Sequence, residues 1–186
     1  MRVDRNLPPA AAPTPIGLGP NQVGVLAEDV AKQIGYKAGD DLKDVVTRLG
    51  GKITYVDFWG GSAPASGSIE ISRNAGDKST FEIRLALDTG VLRDRFTIAH
   101  ELGHYVLHYL YPNKVNGQNI QRLIAQRYGS GQVEKEANWF AAAFLMPKEE
   151  YRRKFEEFAG DHLDLSDYFR VSAQASSVRA KVLGLE

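Results

Sequence analysis

The sequence predicts an α+β fold: a small antiparallel sheet packed against a long helix, with a helical segment toward the C-terminal end. Three observations predict it. Phe81, Ile83, Leu85 and Leu87 alternate with Thr80, Glu82, Arg84 and Ala86, the period-two signature of a half-buried strand. Ile98, Leu102, Tyr105 and Tyr109 then follow helical spacing, with Phe96, Ala99, Val106 and Leu107 filling in around them. Such a helix is apolar nearly all round, which points to burial. Val133, Ala137, Phe140, Ala141 and Phe144 form one apolar stripe of a further helix.

The elements follow in order. Five of the eight prolines lie in residues 1–20, so this stretch is expected to be an extended, mobile tail. The core is expected over residues 21–147. Residues 21–34 and 41–49 read as helices, the second ended by Gly50 and Gly51. Residues 52–58 and 68–73 read as short strands separated by a loop from Trp59 to Gly67. The turn at 74–77 joins the second of them to the 80–87 strand as a hairpin, giving an antiparallel sheet of at least three strands. Residues 119–128 are expected to form a helix of their own, followed by a hinge at Gly129, Ser130 and Gly131. The whole 111–132 segment reads equally as a lid over a groove or as a plain connection.

Residues 148–186 are expected to be helical and part of the same domain. Glu149 and Glu150 stand at the positive end of a helix dipole, and Tyr151, Phe155 and Phe158 share one face. A helix, turn and helix follow, with Ser172 as N-cap and Gly184 as the stop. Residues 161–186 carry three basic and four acidic side chains, too little positive charge for a helix working against phosphate. The segment is therefore expected to be structural or substrate-docking.

The chemistry-bearing stretch is His100-Glu101-Leu102-Gly103-His104. Residues four apart share one helix face, so both imidazoles can reach a single cation. Glu101 can address a water at that cation without being a ligand itself, the arrangement of a zinc peptidase helix. Gly103 costs about 1 kcal/mol relative to alanine in mid-helix, and its expected use is to let another backbone approach.

Two histidines are too few for tight zinc binding, so a third ligand must come from elsewhere. The chain has no cysteine and only four histidines, at 100, 104, 108 and 162. At 100° per residue, Glu134 projects about 60° from Ala137, inside the apolar stripe. Glu136 lies about 100° away on the other side, where it is expected to reach water. Glu134 is the ligand this geometry favours; the rival partner for it is an arginine such as Arg95. Asn138, one turn on, is placed to hydrogen-bond a ligand. His108 is read as a support or packing residue, since a catalytic metal keeps its fourth position open. Tyr105, His108, Tyr111 and Arg95 are all candidates for the donor that stabilises an oxyanion, and the sequence does not choose among them.

Residues Arg95 to His104, followed by Glu134 to Pro147, resemble the ImmA/IrrE family of metallo-endopeptidases. The shared pattern is a glutamate, two free positions, Ala-Asn, one position, Phe-Ala and a closing Leu-Met-Pro. This chain departs from it only with Phe144 where leucine is usual. The resemblance extends more weakly from about Asp40 onward. It implies a zincin-like fold and a gluzincin-like site, with metal ligands at His100, His104 and Glu134 and the general base at Glu101. Zinc is the metal implied, with manganese as the alternative. Family members are bacterial or phage regulators, and several cleave a helix-turn-helix repressor; only the resemblance carries that connection.

Composition agrees with a modest enzyme of 186 residues and 43% hydrophobic content. Charges balance at 23 against 23, arguing against bulk nucleic acid or an anionic membrane as partner. No apolar run reaches the roughly 18 residues of a membrane span, and residues 1–20 lack the apolar core of a secretory signal. Absence of cysteine suits a cytoplasmic location. The expected function is a zinc-dependent endopeptidase acting on a regulatory protein, with the 81–87 strand as the edge where an extended substrate pairs. The rival is a non-proteolytic metal-containing regulator, or a toxin component, that binds a repressor or antitoxin. Glu101 favours the enzyme, because a purely structural metal has no use for it.

Overall fold

The computed structural model describes residues 7–57, 67–73, 79–87, 89–126 and 131–186. The expected loop at 59–66, the turn at 74–77 and the first two hinge residues lie outside the described residues. Helix α1 (Pro20–Gln33) begins with proline at its first position, where the missing N–H costs nothing. In α2 (Leu42–Arg48) the Asp41 side chain caps the N-terminus by accepting from the Lys43 amide at 2.9 Å. Strands β1 (Gly51–Val56), β2 (Ser68–Arg73) and β3 (Ser79–Ala86) precede α3 (Val91–Gly103). That helix continues as a π-helical stretch (His104–Leu110) into α4 (Tyr111–Val115). Strand β4 (Arg122–Gln126), α5 (Gln132–Leu145), α6 (Lys148–Glu157), α7 (His162–Phe169) and α8 (Ala173–Val182) follow.

The fold class is α+β as expected, but the sheet differs from its sequence reading in three ways. Its order is β1-β3-β2-β4, and β1 runs parallel to β3, so the sheet is mixed rather than antiparallel. The hairpin pairing of β2 with β3 is present, from Ser68 opposite Arg84 to Arg73 opposite Ser79. Strand β3 is therefore central, and the expectation that residues 81–87 form a free edge is wrong. Alternation reports one wet face, which central and edge strands share. Here the wet face carries a charge lattice: Arg84 bridges Glu82 at 2.8 Å and Glu70 at 3.1 Å, and Arg122 holds Glu70 at 2.6 Å.

The third correction is β4, which lies inside the 119–128 segment expected to be helical. Ile120, Leu123 and Ile124 fit helical spacing, but pairing with β2 decides the outcome, burying Leu123 and Ala125 on the core face. Short apolar runs are ambiguous by period alone. The proline-rich stretch, expected to be a mobile tail, is tied to the sheet at Ala11. Ala11 forms an isolated parallel bridge to Leu123, donating to the Arg122 carbonyl at 2.9 Å and accepting from Ile124 at 3.1 Å.

The dry face of the sheet, Ile69, Ile71, Phe81, Ile83 and Leu85, covers α3 and its π continuation, with Phe81 and Tyr105 in ring contact. Helix α5 packs across α3 on the other side. A Cβ on Gly103 would stand 3.2 Å from both Cα and O of Ala137, so the close backbone approach expected there is real. Toward the C-terminal end, Tyr151, Leu165, Phe169, Val171 and Ala180 are buried. Arg179 donates to the Met146 carbonyl at 3.0 Å, which ties α8 to the end of α5. Ser172 caps α8 as read, accepting from Ala175 at 3.1 Å.

Candidate metal centre

Helix α3 presents His100 and His104 one turn apart, and α5 lays Glu134 across them. The two Nε2 atoms are 3.1 Å apart. Glu134 Oε2 is 3.2 Å from His100 Nε2, and Glu134 Oε1 is 3.5 Å from His104 Nε2. One donor atom from each of the three residues falls within 4.8 Å of the others. His100, Glu101 and His104 are at most 1% exposed. Asn138 Oδ1 accepts from His100 Nδ1 at 2.9 Å, the support that the position of Asn138 suggested. With the ring proton held there, the neutral His100 ring carries its lone pair at Nε2.

The donor set fits a cation on its own chemistry. Burial pushes the His104 pKa down to about 4 against the opposing pull of Glu134, so this ring is neutral at neutral pH. Burial alone would raise the Glu134 pKa, but the two imidazoles beside it outweigh that and hold the value at about 2. Neutral imidazole and ionised carboxylate are the ligand forms of these groups. Electron-rich atoms crowded at 3.1–3.5 Å in a dry pocket repel one another unless a positive charge lies among them.

Glu101 follows His100 on α3 and meets the chain just before β2. Gly67 has φ +148°, and a Cβ there would lie 2.5 Å from Thr97 Cγ2 and 3.2 Å from Glu101 Oε1. Only glycine lets this backbone run past the carboxylate. The sequence reading gave Gly67 no role beyond ending a loop.

The other candidates sort by their partners. Arg95 donates to the Tyr36 hydroxyl at 2.7 Å and to the Asp40 carbonyl, so it serves neither Glu134 nor an oxyanion. Tyr105 pairs with Ser79 Oγ at 2.7 Å beneath the sheet. His108 lies between His104 and Glu136, with Nδ1 3.0 Å from His104 Nδ1 and Nε2 3.0 Å from Glu136 Oε2. Tyr111 is what remains of the four oxyanion candidates.

Glu136 overturns its expectation outright: it is fully buried rather than facing water. Besides His108 it accepts from the backbone amides of Ile16 at 3.1 Å and Gly17 at 3.2 Å. A stripe through Glu136, Phe140 and Ala143 at i, i+4 and i+7 was the available sequence signal. The outcome there was decided by how much of α5 is covered: both stripes are buried.

The family description for the IrrE N-terminal-like domain, peptidase M78, matches residues 69–181, which contain every residue of this cluster. The chain belongs to that family. Metallopeptidase activity of the ImmA/IrrE type is what membership suggests. The fold is also similar to a solved "Mycobacterium tuberculosis transcriptional regulator", with a TM-score of 0.56 at 20% identity. That likeness covers 84% of this chain and 45% of the other, so this chain spans under half the length of that regulator. No curated protein matches the chain significantly. Among the described residues no helix is long and apolar enough to cross a membrane.

Proposed function

We propose that this protein is a zinc-dependent endopeptidase that cuts a helix-turn-helix repressor. The observation that carries the reading is the convergence of His100, His104 and Glu134 beside a buried Glu101. His100, His104 and Glu134 would hold the metal, zinc by preference and manganese as the alternative. A bound zinc ion supplies Lewis acidity toward the substrate carbonyl. Glu101 takes a proton from the attacking water at a carboxylate oxygen and returns it to the amide nitrogen as the C–N bond breaks. Burial of Glu101 keeps bulk water from competing for that proton.

The repressor as substrate rests on the family resemblance, supported by likeness in fold to a protein described as a transcriptional regulator. A cytoplasmic location follows from the same reading. The cut is expected at one or a few bonds in an exposed or locally opened segment, because a packed helix cannot supply an extended stretch. The test is to measure bound metal by elemental analysis, then incubate the zinc-loaded protein with candidate helix-turn-helix repressors and map products by mass spectrometry. Discrete fragments support the proposal. Rapid digestion of unrelated unfolded proteins would show a general peptidase, and an intact repressor in a stable complex would show a binding protein.

A further inference from the structure

The buried carboxylate of Glu136 and the third histidine of the series have no part in metal ligation, yet His108 touches a ligand and Glu136 touches His108. A carboxylate can only accept, so the 3.0 Å contact with Glu136 Oε2 makes His108 Nε2 the donor. A neutral imidazole has one N–H, so His108 Nδ1 is then an acceptor. Its neighbour at 3.0 Å is His104 Nδ1, which must therefore carry the His104 proton. What is left on His104 is a lone pair at Nε2, the atom that faces His100 and Glu134. The far end is equally determined. The Ile16 amide donates to Glu136 Oε2 at 3.1 Å and the Gly17 amide to Oε1 at 3.2 Å, with Gln132 Nε2 at 3.4 Å from Oε1.

We infer that His108 and Glu136 are positioning residues that fix which nitrogen of His104 faces the metal, and that the segment before α1 holds the far end of this relay. The inference rests on the reading of His100, His104 and Glu134 as metal ligands. Ligating histidines ordinarily donate their second nitrogen to a carboxylate, carbonyl or water. Here a second imidazole stands between ligand and carboxylate. The π-helical stretch helps, since its wider turn displaces His108 from the straight α-helical row. His104, His108 and Glu136 are all buried, so no solvent is at hand to replace a partner lost between them.

Two polar substitutions of one residue test this, because they keep opposite ends of the relay. In H108N the amide oxygen stands near the former Nδ1 and can accept from His104, while contact with Glu136 is lost. In H108Q the amide reaches toward Glu136 and leaves the His104 proton without an acceptor. H108L removes both contacts while filling the space. Zinc affinity is read by competition with a chromophoric chelator, alongside the visible spectrum of the cobalt-substituted protein and melting of the metal-free forms. H108Q and H108L should bind zinc roughly 10–100-fold more weakly than the parent, with an altered cobalt spectrum, and H108N should recover most of that loss. If H108Q does not fold, H108L against H108N decides. A merely structural His108 would lower metal-free melting in all three and leave zinc affinity equal among them, which overturns the relay. A parent protein that takes up no zinc instead overturns the site reading beneath it.

Discussion

Two histidine networks in this chain use the same kinds of groups and reach opposite ends. Near the C-terminal end, His162 Nδ1 pairs with Ser176 Oγ at 3.0 Å and its Nε2 with Glu186 at 2.6 Å. Tyr151 closes that network, its hydroxyl donating to the Ser176 carbonyl at 2.6 Å and pairing with Oγ at 2.7 Å. Ser, His and Glu in that order resemble a hydrolase triad, but Ser176 is fully buried and its oxygen is already shared by two partners. Each ring nitrogen there meets a partner of complementary kind. At the metal centre, by contrast, His100, His104 and Glu134 direct electron-rich atoms at one another. Polarity is common to both networks, and Tyr151 and Ser176 are as buried as the groups at the metal centre. What separates them is whether lone pairs remain once hydrogen bonds are counted.

The largest effects should come from breaking the unsatisfied network. Glu134→Ala should weaken metal binding by more than the roughly 100-fold upper end expected for an outer support, while His162→Ala leaves it unchanged. Metal titration of the two purified variants checks this, and equal losses would erase the distinction drawn here. Glu101→Gln should keep both fold and metal, and lower repressor cleavage by at least about 100-fold. Undiminished cleavage in that variant would mean that Glu101 is not the base.

Breaking the satisfied network should cost stability and nothing else. Ser176→Ala strips a buried partner from both Tyr151 and His162, and should destabilise the protein by about 1–3 kcal/mol. Denaturant unfolding measures the loss, and zinc affinity measured in parallel should not move.

A last effect is a pH dependence arising at the metal centre. The His104 pKa is about 4 in the folded chain and about 6.5 unfolded, so below 6.5 the unfolded state binds more protons. Its contribution to stability is therefore complete above pH 6.5 and declines as pH falls from there toward 4. Thermal melts of metal-stripped protein should show this acid limb, and His104→Gln should flatten it. An unchanged limb in the variant would assign the acid sensitivity to other groups.

The same contrast explains what could be read from residues alone. His100, His104 and Glu134 were legible because a helix repeats every 3.6 residues and each lies on a face that ordinary packing would fill with apolar groups. Glu136 was misread because angular distance from one stripe implies solvent only when a helix has one covered face, and α5 is covered on two. The strands were legible as strands; their order was not. Alternation in Thr80–Leu87 fixes which side chains face the core, whereas β1 joining β3 in parallel depends on a crossover that leaves no local mark. Strand β4 owes its extended form to β2, a partner some fifty residues earlier in sequence, as Leu123 opposite Ile71 shows.

The hydrogen bonds that the Ile16 and Gly17 amides donate to Glu136 span 120 and 119 residues. Bringing such distant positions together carries a loop-closure cost that nearer contacts do not, and contacts of this separation slow folding. During synthesis the first participants leave the ribosome well before α5 exists. Proline gives the early stretch a stiff, extended habit that disfavours local structure in the meantime. On the relay described above, His104 cannot take its final setting until this long closure is made, so competence to hold metal should arrive among the last steps of folding.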